Sequence, residues 1–319
     1  MFSAAREGLR RATAHPFLIV GLWLVTLIYG GVLAWQVGYA IAQHLGPSLR
    51  AERLVRSFDL TWYEEFHDQT TGLARSFGPT ITHGGPLLDA LETWLDGSFD
   101  RYGTAFLAAL IGFALLWTFL HGGVIETLRD RSRVHRSSDY FAACAHYFGR
   151  LCILNLLAVV YLWAVYRWIA PHLFDSIKQM TRNVIVEWKV ILMTIGAYSI
   201  IFILLVIGFI IFEGARIISV VGDRINPLGS MARAVGLMRR SIASILGLLL
   251  VIGILEALLM GLFAWLNPGG GPTTGTTLVL YLLATQIYLV VRWWLRLALT
   301  GGLIKLAETH HYGRPADLY

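Results

Sequence analysis

One stretch of the chain, from Val190 to Phe212, contains no charged residue. A helix that crosses a bilayer needs about 20 consecutive residues that are mostly apolar, because each residue advances the helix by about 1.5 Å and the hydrocarbon core is about 30 Å thick. The stretch meets that requirement without a single charge. It therefore predicts a helix that spans a membrane.

Five further stretches have a similar apolar character. The predicted spans cover about 17–43, 102–125, 151–173, 190–212, 242–266 and 277–302. Only 14% of the residues are charged, the mean hydropathy is +0.62, and soluble domains carry about 25% charged residues. The first stretch is longer than the roughly 7–15-residue apolar region of a signal peptide, so we expect it to be retained. The predicted fold class is an all-α polytopic membrane protein, arranged as a single membrane domain.

Lys and Arg residues are divided unequally between the two sides of the predicted bundle. Fifteen of them lie in residues 1–16, 126–150, 213–240 and 303–319, and eight lie in residues 44–101, 174–189 and 267–276. Basic residues accumulate in cytoplasmic loops, so both termini are expected in the cytoplasm, at a bacterial inner membrane. The net charge of +6 then indicates contact with anionic lipid and not with nucleic acid.

Residues 46–100 form the only long segment between predicted spans. Turn residues and two amphipathic patterns in it favour short helices, such as one over the sequence "GGPLLDALETWLDG". A segment of this length is too small to build its own core. We therefore expect an extracytoplasmic helical insertion in the first hairpin.

Glycines mark the same end of every second span. Gly122 and Gly123 end the second span, Gly301 and Gly302 end the sixth, and Gly214 occupies that place in the fourth. Small residues let membrane helices approach closely, so we assign these glycines to helix packing, with lipid or ligand contact as the alternative. Such a recurrence predicts three repeated hairpins, unless apolar helices align here by chance.

Arginine-bearing stretches precede spans 1, 3 and 5 and strengthen the repeat. Arg11, Arg150 and Arg240 are separated by 139 and 90 residues, and the excess of 49 is close to the length of the insertion. Each hairpin is therefore predicted to follow a cytoplasmic amphipathic helix. We expect Arg10, Arg11, Arg150, Arg239 and Arg240 to contact anionic lipid headgroups, at about 1 kcal/mol for each basic residue.

Charged residues inside predicted spans are the strongest candidates for a site. Glu256 in the fifth span and Arg292 in the sixth lie at matching depth, and Arg296 lies one turn further along. Charges at this depth are costly unless they are paired or face a cavity, so Glu256 is predicted to approach Arg292 or Arg296. The pair is either a structural clamp or a substrate or proton site. The sequence contains no nucleotide-binding, zinc-protease or serine-hydrolase motif, so we expect no catalytic residue, metal or cofactor.

The sequence "EGARIISVVGDR", followed by "ARAVGLMRR", together with the Gly-Gly span ends, resembles a group of uncharacterised six-span bacterial inner-membrane proteins. The layout is also similar to the membrane domain that precedes some bacterial glycerophosphodiester phosphodiesterases. This sequence does not contain their catalytic domain, so the resemblance implies neither activity nor site residues.

These features favour a non-enzymatic membrane subunit that acts as a scaffold or as a permease-like component of a larger assembly. Its expected partners are membrane lipids, with protein subunits possible. The alternatives are a stand-alone carrier or channel that uses Glu256 and Arg292, and a membrane enzyme that acts on lipid.

Overall fold

A computed structural model describes residues 2–46, 59–78, 92–97, 103–130, 137–182, 186–223, 226–266 and 275–311. Within these ranges the regular structure is helical and no residue lies in a strand. Six helical segments are long and apolar enough to cross a membrane: Pro16–Leu45, Gly103–Arg129, Ser137–Thr181, Glu187–Val221, Pro227–Leu266 and Gly275–Thr309. The predicted fold class, an all-α polytopic membrane protein, is confirmed.

The helices are α1 (Phe2–Ala14), α2 (Pro16–Leu45), α3 (Leu60–Gln69), α4 (Gly103–Arg129), α5 (Ser137–Ala164), α6 (Ala170–Thr181), α7 (Glu187–Val221), α8 (Pro227–Leu266) and α9 (Gly275–His311). A 3₁₀ turn (Gly72–Ser76) follows α3. A π-helical turn (Val165–Ile169) joins α5 and α6 into one span.

Two local breaks separate amphipathic segments from the spans that follow them. Pro16 occupies the first turn of α2, where its missing N–H costs nothing, and His15 before it is not helical. In α8 the backbone leaves helical geometry at Ser241, with φ −127° and ψ 19°. The predicted spans begin at 17 and 242, directly after these breaks. No break interrupts α5, which runs from Ser137 into its span as one helix.

Helices α4, α7 and α9 form the inside of the bundle, since each of them contacts the other two. Around them, α5 packs beside α4 and α7, α8 packs beside α7 and α9, and α2 packs beside α9. Helix α1 lies along α9 and also touches α8. We call the end of the bundle that carries α1 the α1 side.

Burial is concentrated on the α1 side. The largest buried stretches are the last third of α4, the last half of α7, the first two thirds of α8 and the second half of α9. Toward the opposite side large apolar side chains are exposed, for example Leu258, Leu262 and Trp265 on α8. Large buried side chains are therefore concentrated at one end, although Phe263 of α8 and Tyr288 of α9 still touch toward the other, with ring centroids 4.6 Å apart.

The described parts of the insertion fold onto the opposite side. Asp59 caps α3 by accepting a hydrogen bond from the backbone N–H of Trp62 at 3.1 Å. Trp62, Phe66 and Ala74 are buried together against the end of α2. Residues 79–91, which hold most of the second predicted helix, lie outside the described ranges, whereas residues 92–96 are helical.

Candidate functional site

Three ionisable side chains meet inside the bundle on the α1 side. Glu213 of α7 is 7% exposed and accepts a hydrogen bond from Nη1 of Arg216 at 2.7 Å. Its Oε1 lies 3.2 Å from Nε2 of His121 on α4, which is 3% exposed, although this contact falls outside hydrogen-bond geometry. A buried carboxylate requires such partners, because desolvation of an unpaired charge is costly. The cluster therefore fixes α4 to α7.

Aromatic rings continue this cluster toward α9. Trp117, one turn before His121, stacks on its ring with centroids 5.0 Å apart. The guanidinium carbon of Arg296 lies 4.6 Å from the centroid of Trp117 and 5.5 Å from that of Trp293. Trp293 also donates a hydrogen bond to Thr26 of α2 at 3.1 Å. Cation–π attraction thus holds the Arg296 charge between the inner helices.

Arg296 is accessible although protein surrounds its helix. Residues 293–300 point to all sides of α9, because successive residues are about 100° apart. Within this stretch residues 293, 295, 297, 298 and 300 are buried, 294 and 299 are half-buried, and Arg296 is exposed. Its side chain lies beside Trp117 of α4, and we call the accessible space around Arg296, Arg292 and Glu256 the opening. Arg292, one turn away on the same face, is also exposed.

Glu256 faces the same region from α8. Glu256 continues the face of α8 on which Ile245, Leu248 and Ile252 are buried nearer the α1 side. Unlike those three residues, Glu256 is exposed. Arg296 is within electrostatic range of Glu256 and Arg292, and of Glu213 and Arg216.

The structure differs from the sequence-based prediction that Glu256 pairs with Arg292 or Arg296. Within the described ranges Glu256 makes no ion pair or hydrogen bond, either with Arg292 or with Arg296. Matching depth did not bring the groups together, and the Arg296 guanidinium lies over the ring of Trp117 instead. The opening consequently holds charges without an ion pair.

Arg11 is placed differently from the prediction that it contacts lipid headgroups. It is 5% exposed and donates to both carboxylate oxygens of Glu308 on α9, at 3.2 and 2.8 Å. It also donates to the carbonyl oxygen of Leu128, near the end of α4, at 3.1 Å. Arg11 therefore joins α1 to two inner helices, because the polar face of α1 packs on protein.

The other predicted headgroup arginines lie nearer the surface. Arg10 is exposed and bonds to Glu7, and the hydrogen bond from Arg10 is the main reason that the pKa of Glu7 falls to about 2. Arg150 donates to Asp223 at 2.7 Å, and that bond lowers the pKa of Asp223. Arg239 and Arg240 are exposed, and in the described part of the chain neither has an ion pair.

The predicted packing glycines lie where helices approach closely. A Cβ added to Gly123 would come within 2.6 Å of Sγ of Cys144, and one added to Gly302 within 2.8 Å of Leu248. Gly8 is tighter still, because its Cβ would lie 2.1 Å from the carbonyl oxygen of Ala298. At Gly8 the close neighbour is backbone, as in other closely packed membrane helices, whereas at Gly123 and Gly302 the nearest atoms belong to side chains.

The remaining three glycines follow a cyclic pattern. Each belongs to an inner helix and faces the amphipathic segment that enters the next outer span: Gly122 faces Tyr147 and Ala143, Gly214 faces Ala234, and Gly301 faces Gly8 and Arg11. The inner helix of the first hairpin thus contacts the amphipathic segment of the second hairpin. In the same way, the inner helix of the second hairpin contacts the segment of the third, and the inner helix of the third contacts the segment of the first.

The contact between His121 and Glu213 was not predicted. A signal was nevertheless present, because His121 directly precedes Gly122 and Glu213 directly precedes Gly214. Equivalent positions of inner helices that converge on one axis must approach each other, so the glycine register itself points to this pair.

The arrangement combines a closed cluster with an accessible one. Glu213 is paired with Arg216 and faces His121, whereas Arg292 and Arg296 present two positive charges to the opening against the single negative charge of Glu256. The surplus of positive charge at the opening suits a group with negative charge. Within the described ranges no three His, Cys, Asp or Glu side chains are grouped so that they could hold a metal ion. Comparison of the chain with protein-family models, curated proteins and solved structures gives no match.

Proposed function

We propose that the chain is a permease-like component of a membrane assembly, and that a solute with an anionic group passes along Arg292 and Arg296. The observation that supports this most strongly is the exposed Arg296 side chain on a helix that protein surrounds. A charge in the middle of a bundle is stable only with a partner or with water nearby. An aqueous path between the helices supplies that water.

Anion permeation in membrane vesicles tests this proposal. Vesicles that contain the protein are suspended in isosmotic potassium formate with valinomycin, so that potassium is not limiting and swelling reports anion entry. We expect swelling above that of vesicles without the protein, and a return to that background for Arg296→Gln. The control is Arg239→Gln, since Arg239 is exposed away from the opening. Equal swelling of wild type and Arg296→Gln would contradict the proposal.

A stand-alone carrier or channel with a midplane site at Glu256 and Arg292 is the second candidate. It is favoured by the absence of an ion pair at both residues within the described ranges. Purified protein in liposomes separates the candidates. Swelling in liposomes identifies a stand-alone carrier, whereas swelling confined to native vesicles identifies a subunit of an assembly.

A threefold internal repeat is proposed as the architecture behind this function. It is supported by the cyclic contacts of Gly122, Gly214 and Gly301 and by the meeting of His121 with Glu213. The test is an experimental structure in which the three hairpins are superimposed. If the three glycines do not fall in register, the repeat is wrong.

We further propose a bacterial inner membrane with cytoplasmic termini, which makes the α1 side cytoplasmic. The excess of Lys and Arg on that side supports this orientation. Arg239 and Arg240, exposed there, would contact anionic headgroups or a protein subunit. Labelling of residues 46–100 from the cytoplasmic side only would contradict it.

A further inference from the structure

An apolar groove of about 960 Å³ runs between α5, α7 and α8. Its walls include Tyr161, Phe202, Phe212 and Leu250, and Gly253 leaves space in one wall. Among its described lining residues only Arg216 is charged. An apolar channel with a single basic end matches the chemistry of a lipid, which has apolar chains and one polar end.

The groove follows α7 from Phe202 to Arg216, which is about 21 Å at 1.5 Å per residue. It is therefore longer than one leaflet of a hydrocarbon core that is about 30 Å thick.

Arg216 lies at the depth of a headgroup. A hydrocarbon core of about 30 Å corresponds to about 20 helical residues. Counted from Val190, the first residue of the uncharged stretch, the core ends near residue 210. Counted from Tyr198, whose hydroxyl bonds to Asp96 of the insertion, it ends near residue 218. Arg216 falls between these limits.

The other end of the groove is covered by the insertion. Trp94 and Leu95 line it there, and the backbone carbonyl of Trp94 accepts a hydrogen bond from Tyr166. A ligand would therefore enter sideways from the bilayer, with its polar end at Arg216. The Nη1 of Arg216 binds Glu213, and the Arg216 side chain remains 18% exposed at this end of the groove.

From this geometry we infer that the groove binds an anionic phospholipid, with acyl chains along α7 and α8 and the phosphate at Arg216. Partial desolvation strengthens an arginine–phosphate contact there. The inference is independent of the proposed permeation path, because Arg292 and Arg296 do not line the groove.

Native mass spectrometry of the full chain with added phosphatidylglycerol tests the inference, with phosphatidylcholine as the neutral probe. Gly253→Phe fills the groove and leaves every charge in place, so we expect the bound fraction of phosphatidylglycerol to fall to background. Gly261→Phe is the matched control, since Gly261 also has open space around it but does not line the groove. Arg216→Gln should abolish the preference for phosphatidylglycerol over phosphatidylcholine.

Wild-type lipid retention by Gly253→Phe would overturn the inference, and so would an unchanged preference in Arg216→Gln. A stoichiometric protein that is lost from Gly253→Phe would also overturn it, by identifying a helix as the occupant. The permeation proposal stands or falls separately, because Arg296→Gln should keep its lipid and lose swelling.

Discussion

On the α1 side the buried charged residues are paired, whereas deeper in the bundle Glu256 and Arg292 are exposed without ion pairs in the described ranges. The paired end includes Arg11 with Glu308, and Glu213 with Arg216. Both groups consist of Glu and Arg residues. The difference is whether a partner lies within reach: Glu308 of α9 reaches Arg11, and Arg216 reaches Glu213 on the same helix.

This contrast separates two roles for charge in a membrane protein. A buried pair joins helices, because removing either partner leaves an uncompensated charge. An exposed charge in an opening instead requires water and is available to a solute. The α1 side therefore closes the bundle, and the opening at Arg296 begins where that closure ends.

Removal of Arg11 should have the largest effect on stability. Arg11→Met leaves Glu308 without its buried partner, so we expect the free energy of unfolding to fall by about 3–5 kcal/mol. Unfolding in mild detergent, followed by tryptophan fluorescence, measures the loss. Release of α1 should also make the backbone at Arg6 and Arg10 accessible to trypsin.

Arg10→Met is the matched control for that experiment. Arg10 is exposed and bonds only to Glu7 on its own helix, so its removal should leave unfolding nearly unchanged. A similar loss of stability in both variants would mean that positive charge anywhere on α1 holds the helix in place, and not the buried Arg11–Glu308 pair in particular.

The close approach of α1 to α9 gives a smaller but still clear effect. Gly8→Ala places a Cβ against the Ala298 carbonyl, so we expect about 1–3 kcal/mol of destabilisation from overpacking. Gly236→Ala is the control, since a Cβ there meets nothing within 4 Å. Thermal unfolding of both variants measures the difference. Equal stability of the two would show that α1 can shift away from α9 at no cost.

The sequence predicted the six spans because hydrophobicity and length are local properties. The breaks at Pro16 and Ser241 follow local preferences as well, so the starts of two spans were close to those found. The contact partners of side chains depend on how helices converge. Matching depth suggested that Glu256 meets Arg292, but depth does not determine the distance between helices.

The placement of Arg11 shows a second limit. An amphipathic segment with arginines is compatible with lying on lipid or on another helix, because both present an apolar surface and a polar edge. Gly8 was the discriminating residue, since only a close helix neighbour requires its missing side chain. For His121 and Glu213, their shared position before a glycine would have been sufficient.

The central claim is that the opening around Arg296 contains water inside the membrane. Cysteines are introduced one at a time as Glu256→Cys and Arg292→Cys, with Leu258→Cys and Ile287→Cys as controls of similar depth whose native side chains are 64% exposed. Native Cys144 and Cys152 are first replaced by alanine. A membrane-impermeant thiol reagent reacts with the thiolate, which forms in water and not in lipid. The account predicts modification at positions 256 and 292 and none at 258 and 287. No modification at 256 and 292, or equal modification at all four positions, would contradict it.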